Sequence, residues 1–330
     1  MSSKLLLIFC EFAIVGWAGS SASLGGPVTG FVFDSQTLAI RPMLGIPGAA
    51  YIGAPVASQV AAASVSPDGS AAFVIRLGRL VLYTGLRGTA PASVTVDNAI
   101  LGVDRFAWAA NATAAAVYSS KSGQAQILTN LAQTPAAGAP IDLSSIPGTV
   151  AALAFDGQHI LAGAASTESG GIYLAGAQTA LERIAAASSP SAIVLAGGNL
   201  YFADRQSQQI WEVENYSKTP AVVLFAGDSG ISAPAGLQLS ADGLRLYAAN
   251  AGNQKLAIYD VASRSPLQSI DLDFTPTGLD RFGASSVYLL SSSGQGPLHV
   301  LSDVNTAKIA VYFVPAPNNA GKAQLLFHPI

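Results

Sequence analysis

The stretch "LSADGLRLYAANAGNQKLAIYD", residues 239–260, reads as strand, tight turn, strand, polar loop, strand. Asp242-Gly243 stands between two apolar runs, and both residue types tolerate positive φ, so the spacing predicts a hairpin with a two-residue turn. What decides the fold is whether this pattern is unique or one copy of a repeat.

It recurs in degenerate form. "ASVSPDGSAAFVIR" (63–76), "AALAFDGQHILAGA" (151–164), "AIVLAGGNLYFADR" (192–205) and "GLQLSADGLRLYAAN" (236–250) share one plan of apolar strand, Gly-containing turn and second strand. "RFAWAANATAAAVYSS" (105–120) and "GLDRFGASSVYLLSS" (278–292) follow it with weaker turns. The turn markers Gly69, Asn111, Gly157, Gly198, Gly243 and Gly283 are 42, 46, 41, 45 and 40 residues apart. A second strand pair follows each hairpin, as in "KLAIYDVASRSPLQSIDL" (255–272), "QIWEVENYSKTPAVVLF" (209–225) and "PLHVLSDVNTAKIAVYF" (297–313). Four short strands in a repeat of roughly 40–50 residues define a propeller blade.

The ends of the chain fit the same ring. "GFVFDSQTLAIRPML" (30–44) matches the outer strand pair of a blade with no inner pair before it. "KAQLLFHPI" (322–330) lies where the next inner strand is due. A first blade assembled from both chain termini closes the ring and removes exposed sheet edges. The expectation is therefore an all-β, seven-bladed β-propeller, with six or eight blades as alternatives. Helical patterns of the kind an α/β fold needs are confined to "AQTALERIAAA" (177–187), which sits where an outer strand belongs.

The N-terminus reads as an export signal: Lys4, an apolar run over 5–19, then Ser20 and Ala22 at the −3 and −1 positions of a cleavage site. Glu11 interrupts the apolar run. A membrane anchor is the competing reading, but a span needs about 18 apolar residues or more. Cleavage near Ala22 gives a signal peptide over 1–22 and one propeller domain over 23–330, secreted, periplasmic or held in the cell envelope. Cys10 is the only cysteine, so the mature chain has no disulfide, thiol catalyst or zinc ribbon. Phe9 before it departs from the small residue that a lipoprotein signal requires. Charged residues make up 11% of the chain, the net charge is −3, and no Lys/Arg block is present, which excludes phosphate-backbone recognition.

The unit "LYAANAGNQKLAIYDVASRSPLQSIDL" (246–272) resembles the YVTN-type propeller repeat of bacterial surface and exported proteins. Residues 222–260 are also similar to NHL-type repeats, through Pro234-x-Gly236, Asp242-Gly243 and Tyr247-Ala248-Ala249-Asn250. The resemblance is good over roughly 190–272 and loose elsewhere. It implies a seven-bladed ring, and some relatives of this kind are lactone-hydrolysing enzymes. Such repeats specify fold well and activity poorly.

The residues carry little chemistry. A metal-dependent hydrolase needs several carboxylate, Asn or His ligands converging on one ion. Glu182, Glu212 and Glu214 fall in outer strands, Glu168 stands apart, and His159, His299 and His328 lie in different blades. No HExxH, GxSxG or Walker pattern occurs, so no catalytic residue, metal or cofactor is expected. Asp104-Arg105-Phe106 and Asp280-Arg281-Phe282 look alike but sit at different distances from their turns. The sequons at Asn111 and Asn215 have meaning only in a glycosylating host. The candidate contacts are Asp204 and Arg205, with Asn250 and Asn253 one blade on, in loops of one propeller face; as turn formers they also have a plain structural reading. The expectation is an exported monomeric binding module for a protein, peptide or glycan. A lactonase or strictosidine-synthase-like hydrolase is the alternative, and a structural component of the cell envelope a third.

Overall fold

Seven antiparallel sheets follow one another along the chain, at 28–58, 62–95, 105–142, 149–186, 190–226, 234–271 and 280–314; these are blades 1 to 7. The structure is a computed structural model that describes residues 26–316 apart from 228–229, 284–285, 292–295 and 305–308. The signal segment 1–22 and the closing strand expected at 322–330 lie outside the described residues. Among those described there is no helix, and the stretch 177–187 contributes the strand Glu182–Ala186 as the fourth row of blade 4.

Blade 6 shows how the repeat is built. Its rows run outward as Pro234–Leu239, Arg245–Asn250, Lys255–Asp260 and Pro266–Asp271, each antiparallel to the last. The second row is buried almost throughout, because neighbouring blades cover both its faces, and it therefore reads as a continuous small-apolar run. The fourth row is mostly exposed and carries the polar residues. Blades 2, 4, 5 and 7 repeat this order, and blade 3 splits its fourth row into Ala136–Ala137 and Ile141–Asp142.

The turns differ from the two-residue expectation in part. Blades 4 and 5 do turn on two residues, with Gly157 in one and Gly197-Gly198 in the other at positive φ. Blades 2, 3 and 6 use four-residue turns closed by Ser66 N to Ala71 O, Ala109 N to Ala114 O and Ser240 N to Arg245 O. In those turns the Asp or Asn is an acceptor: Asp68, Asn111 and Asp242 take the amide two residues on at 3.0, 3.1 and 3.0 Å. The positive φ falls on the next residue, Gly69, Ala112 or Gly243. Ser240 and Ser66 supply a further hydroxyl to the turn, an arrangement that a dipeptide signal does not encode.

Packing between blades identifies the rows of blade 1. Between blades 5 and 6, Tyr201, Ala203 and Ile210 meet Leu237, Leu246, Ala248 and Tyr259. Between blades 1 and 2, Phe31, Phe33 and Ile40 meet Ala63, Ala72, Val74 and Tyr83 in the same positions. Val28–Asp34 is thus a second row and Ala39–Ile46 a third, one row further in than the outer pair that the sequence pattern suggests, with Ala49–Ile52 and Ala57–Ser58 sharing the fourth. Among the described residues blade 1 has no innermost row. Blade 7 nevertheless meets blade 1: the Phe282 ring lies over Gly30, and Val32 and Met43 share a cluster with Val287, Leu298 and Val300.

Candidate functional site

The sequence candidates occupy turns between the second and third rows, and the structure shows what those side chains do. Asp204 ends the second row of blade 5, is 4% exposed, and accepts the amides of Ser188, Ser189 and Gln206 at 2.9, 2.9 and 3.0 Å. It thereby ties its own turn to the connection arriving from blade 4. Asn250 does the same one blade on: it is fully buried, accepts the amide of Ser232 at 3.0 Å and donates to Ala248 O at 3.1 Å. Asp34 holds the equivalent place in blade 1, accepting from the Gln36 and Thr37 amides and from Arg41 Nε at 2.9 Å. Burial raises the Asp34 pKa, but these donors outweigh it and hold the carboxyl below 3.8. Asp204 and Asn250 are therefore committed to the fold. Arg205 is exposed and Asn253 half-buried, and none of the four lines the cavity described next.

Several other ionisable groups are tied into interfaces between blades. Glu212, 4% exposed, accepts from Asn199 Nδ2, Tyr201 OH and, from blade 6, Arg264 Nε at 2.8, 2.9 and 3.0 Å. Burial and the bond to Glu212 push the Tyr201 hydroxyl up to about 12. Asp156 joins His159 Nδ1 at 2.9 Å to Tyr216 OH of blade 5 at 2.8 Å. His299 lies flat on Phe274, ring centroids 3.5 Å apart, and burial lowers its pKa. His328 lies outside the described residues. Among the described residues no three His, Cys, Asp or Glu side chains are grouped closely enough to hold a metal ion.

The feature that the sequence reading missed is the centre of the ring. A cavity of about 820 Å³ runs along its axis, lined by the first rows of blades 2–7 and, where the described residues of blade 1 include no such row, by Phe31, Val32 and Phe33. The lining is mainly apolar. Trp108 and Phe106 stand on one side, Trp108 stacked on Phe73 at 4.6 Å between centroids and donating through Nε1 to Ser64 Oγ at 3.0 Å. Its polar members are few, among them Ser64, Ser66, Gln238 and Thr277. Among the described residues the lining holds one acidic side chain, Asp280, and one basic side chain, Arg281. They sit in the first row of blade 7 as the "DRF" triplet that looked incidental, and they point to opposite faces of their strand. Only summing first-row residues over all blades would have located this cavity from sequence.

No protein-family model and no curated protein matches the chain. Solved structures do. A protein of unassigned function from Desulfotomaculum acetoxidans is similar at a TM-score of 0.60 and 13% identity, over 88% of this chain and 100% of that one. A candidate 6-phosphogluconolactonase from Bacteroides fragilis is similar at 0.59 and 12% identity, over 88% of this chain and 95% of that one. At such identities the likeness shows the fold alone, and the fold of this chain is a seven-bladed β-propeller.

Proposed function

We propose that this chain is an exported β-propeller that works as a binding module, and that the central cavity is its ligand site. The observation that carries this reading is a cavity of about 820 Å³ whose lining combines apolar side chains with polar groups converging on the axis. Export rests on the N-terminal pattern, and the similarity of 222–272 to YVTN and NHL repeats supports an exported ring. The reading moves the binding surface from the turns bearing Asp204 and Asn250 to the axis, since those two side chains hold the backbone. A large side chain placed on the axis tests it. In a thermal-shift screen of small molecules, compounds that raise the melting temperature of the wild type are expected to lose that effect in Gln238→Trp. A screen in which no compound shifts the wild type, or in which Gln238→Trp responds equally, overturns it.

Lactone hydrolysis is the second reading, favoured by the name of the Bacteroides fragilis protein. A phosphorylated lactone brings a dianion, which calls for several cationic or amide donors. Arg281 is the one basic side chain in the lining, and it is turned toward Leu239 O at 3.4 Å. That chemistry favours binding over phosphosugar hydrolysis.

A further inference from the structure

We propose that the ligand of the central cavity is an organic cation, with its ammonium group against the Asp280 carboxylate and its apolar body on the aromatic faces of Phe106 and Trp108. This rests on the reading of the cavity as a ligand site and adds the chemical class of the ligand.

The first rows are equivalent position by position, which makes Asp280 stand out. The residue that opens the turn between first and second rows is Ala109, Asp156, Ala196, Ser240 and Phe282 in blades 3 to 7. Two residues before it stand Ala107, Ala154, Val194, Gln238 and Asp280, all of them in the cavity lining. Small or neutral side chains fill this layer in five blades, Ser64 of blade 2 included, and a carboxylate fills it in one. Asp280 shares its strand face with Phe282, which packs on Gly30, so it is directed toward blade 1. It is open to the cavity, its Oδ2 beside Gly278, while protein surrounds it, and that enclosure raises its pKa. Its neighbour Arg281 faces blade 6. A carboxylate open to such a cavity attracts a cation, and aromatic faces attract the same cation.

Arg and Lys side chains of the described lining cannot supply that cation, since Arg281 is its one basic member. A ligand ammonium can. Nothing covalent is involved, so the test is one of affinity and charge selection. Phenethylammonium and its uncharged counterpart phenethyl alcohol are titrated by calorimetry into the full-length mature protein, Asp280→Asn and Asp280→Glu. The wild type is expected to prefer the ammonium by about tenfold or more, the worth of one charged hydrogen bond. Asp280→Asn should bring the two affinities within a factor of about two, and Asp280→Glu should keep the preference, which separates charge from altered packing. Equal affinities in the wild type, or a preference that survives Asp280→Asn, overturn the cation while leaving the cavity a ligand site. If neither probe binds while screened neutral compounds do, the cation is again overturned; the cavity itself falls only by the thermal-shift screen and its Gln238→Trp comparison.

Discussion

At the residue scale, the side chains that most resemble ligand contacts in the sequence turn out to be brackets for the backbone. Asp204 takes three amides, and the amide of Arg205 bonds Ser189 O at 2.9 Å beside it, so a turn and an incoming connection are fixed by one carboxylate. Asp204→Ala leaves those donors unpaired in a largely buried place, and a loss of about 2–3 kcal/mol in denaturant unfolding is expected. A loss below about 0.5 kcal/mol would return Asp204 to the surface role the sequence suggests. Asp34 adds a pH dependence. Its carboxyl is held below 3.8, so its stabilising contribution is complete above that value and disappears as pH falls through the lowered folded value. The stability difference between wild type and Asp34→Ala should therefore shrink on acidification below 3.8, as read from denaturant midpoints. Asp204 and Asn250 were legible as equivalent residues in the sequence, but burial was not, because it depends on the adjoining connection folding over them.

At the scale of single elements, the repeat spacing and the strand pairs were readable, since buried second rows must be apolar on both faces and turns must admit positive φ. The turn chemistry was less readable. "SPDG" and "SADG" place Ser66 and Ser240 two residues before the Asp, and their hydroxyls brace a four-residue turn that blade 3 closes with Ala109 at the same place, whereas "FDGQ" turns on two. The contact of one blade with the next also demands small residues at particular points. A Cβ on Gly236 would stand 2.3 Å from Leu279 N and 2.6 Å from Gly278 C, main-chain atoms that cannot turn aside. Gly236→Ala should cost about 1–3 kcal/mol through the interface of blades 6 and 7. Hydrogen exchange should then rise first at the amides of 236–239 and 287–290, whereas a uniform rise would place the strain elsewhere.

At the scale of the whole molecule, the count of seven follows from six regular repeats plus an incomplete first blade, and the packing of Phe31, Phe33 and Ile40 moves the pattern over 30–44 from the expected outer pair to the second and third rows. The central cavity had no local signature, because each blade contributes only a few residues and the axis gathers them from the whole chain. Removal of residues 322–330 tests the expected closure. If they supply the inner row of blade 1, truncation should lower the melting temperature by several degrees and broaden the transition, as loss of a strand does in a ring. An unchanged transition would show that the contact of Phe282 with Gly30 suffices. That contact has a further consequence. Among the described residues every blade pairs strands close in sequence, whereas Gly30 and Phe282 are roughly 250 residues apart, so the entropy of joining them falls on one late event. The ring is therefore an arc of locally formed units with a single latch, and pulling the two ends of the chain apart should open it at that seam before any blade unravels.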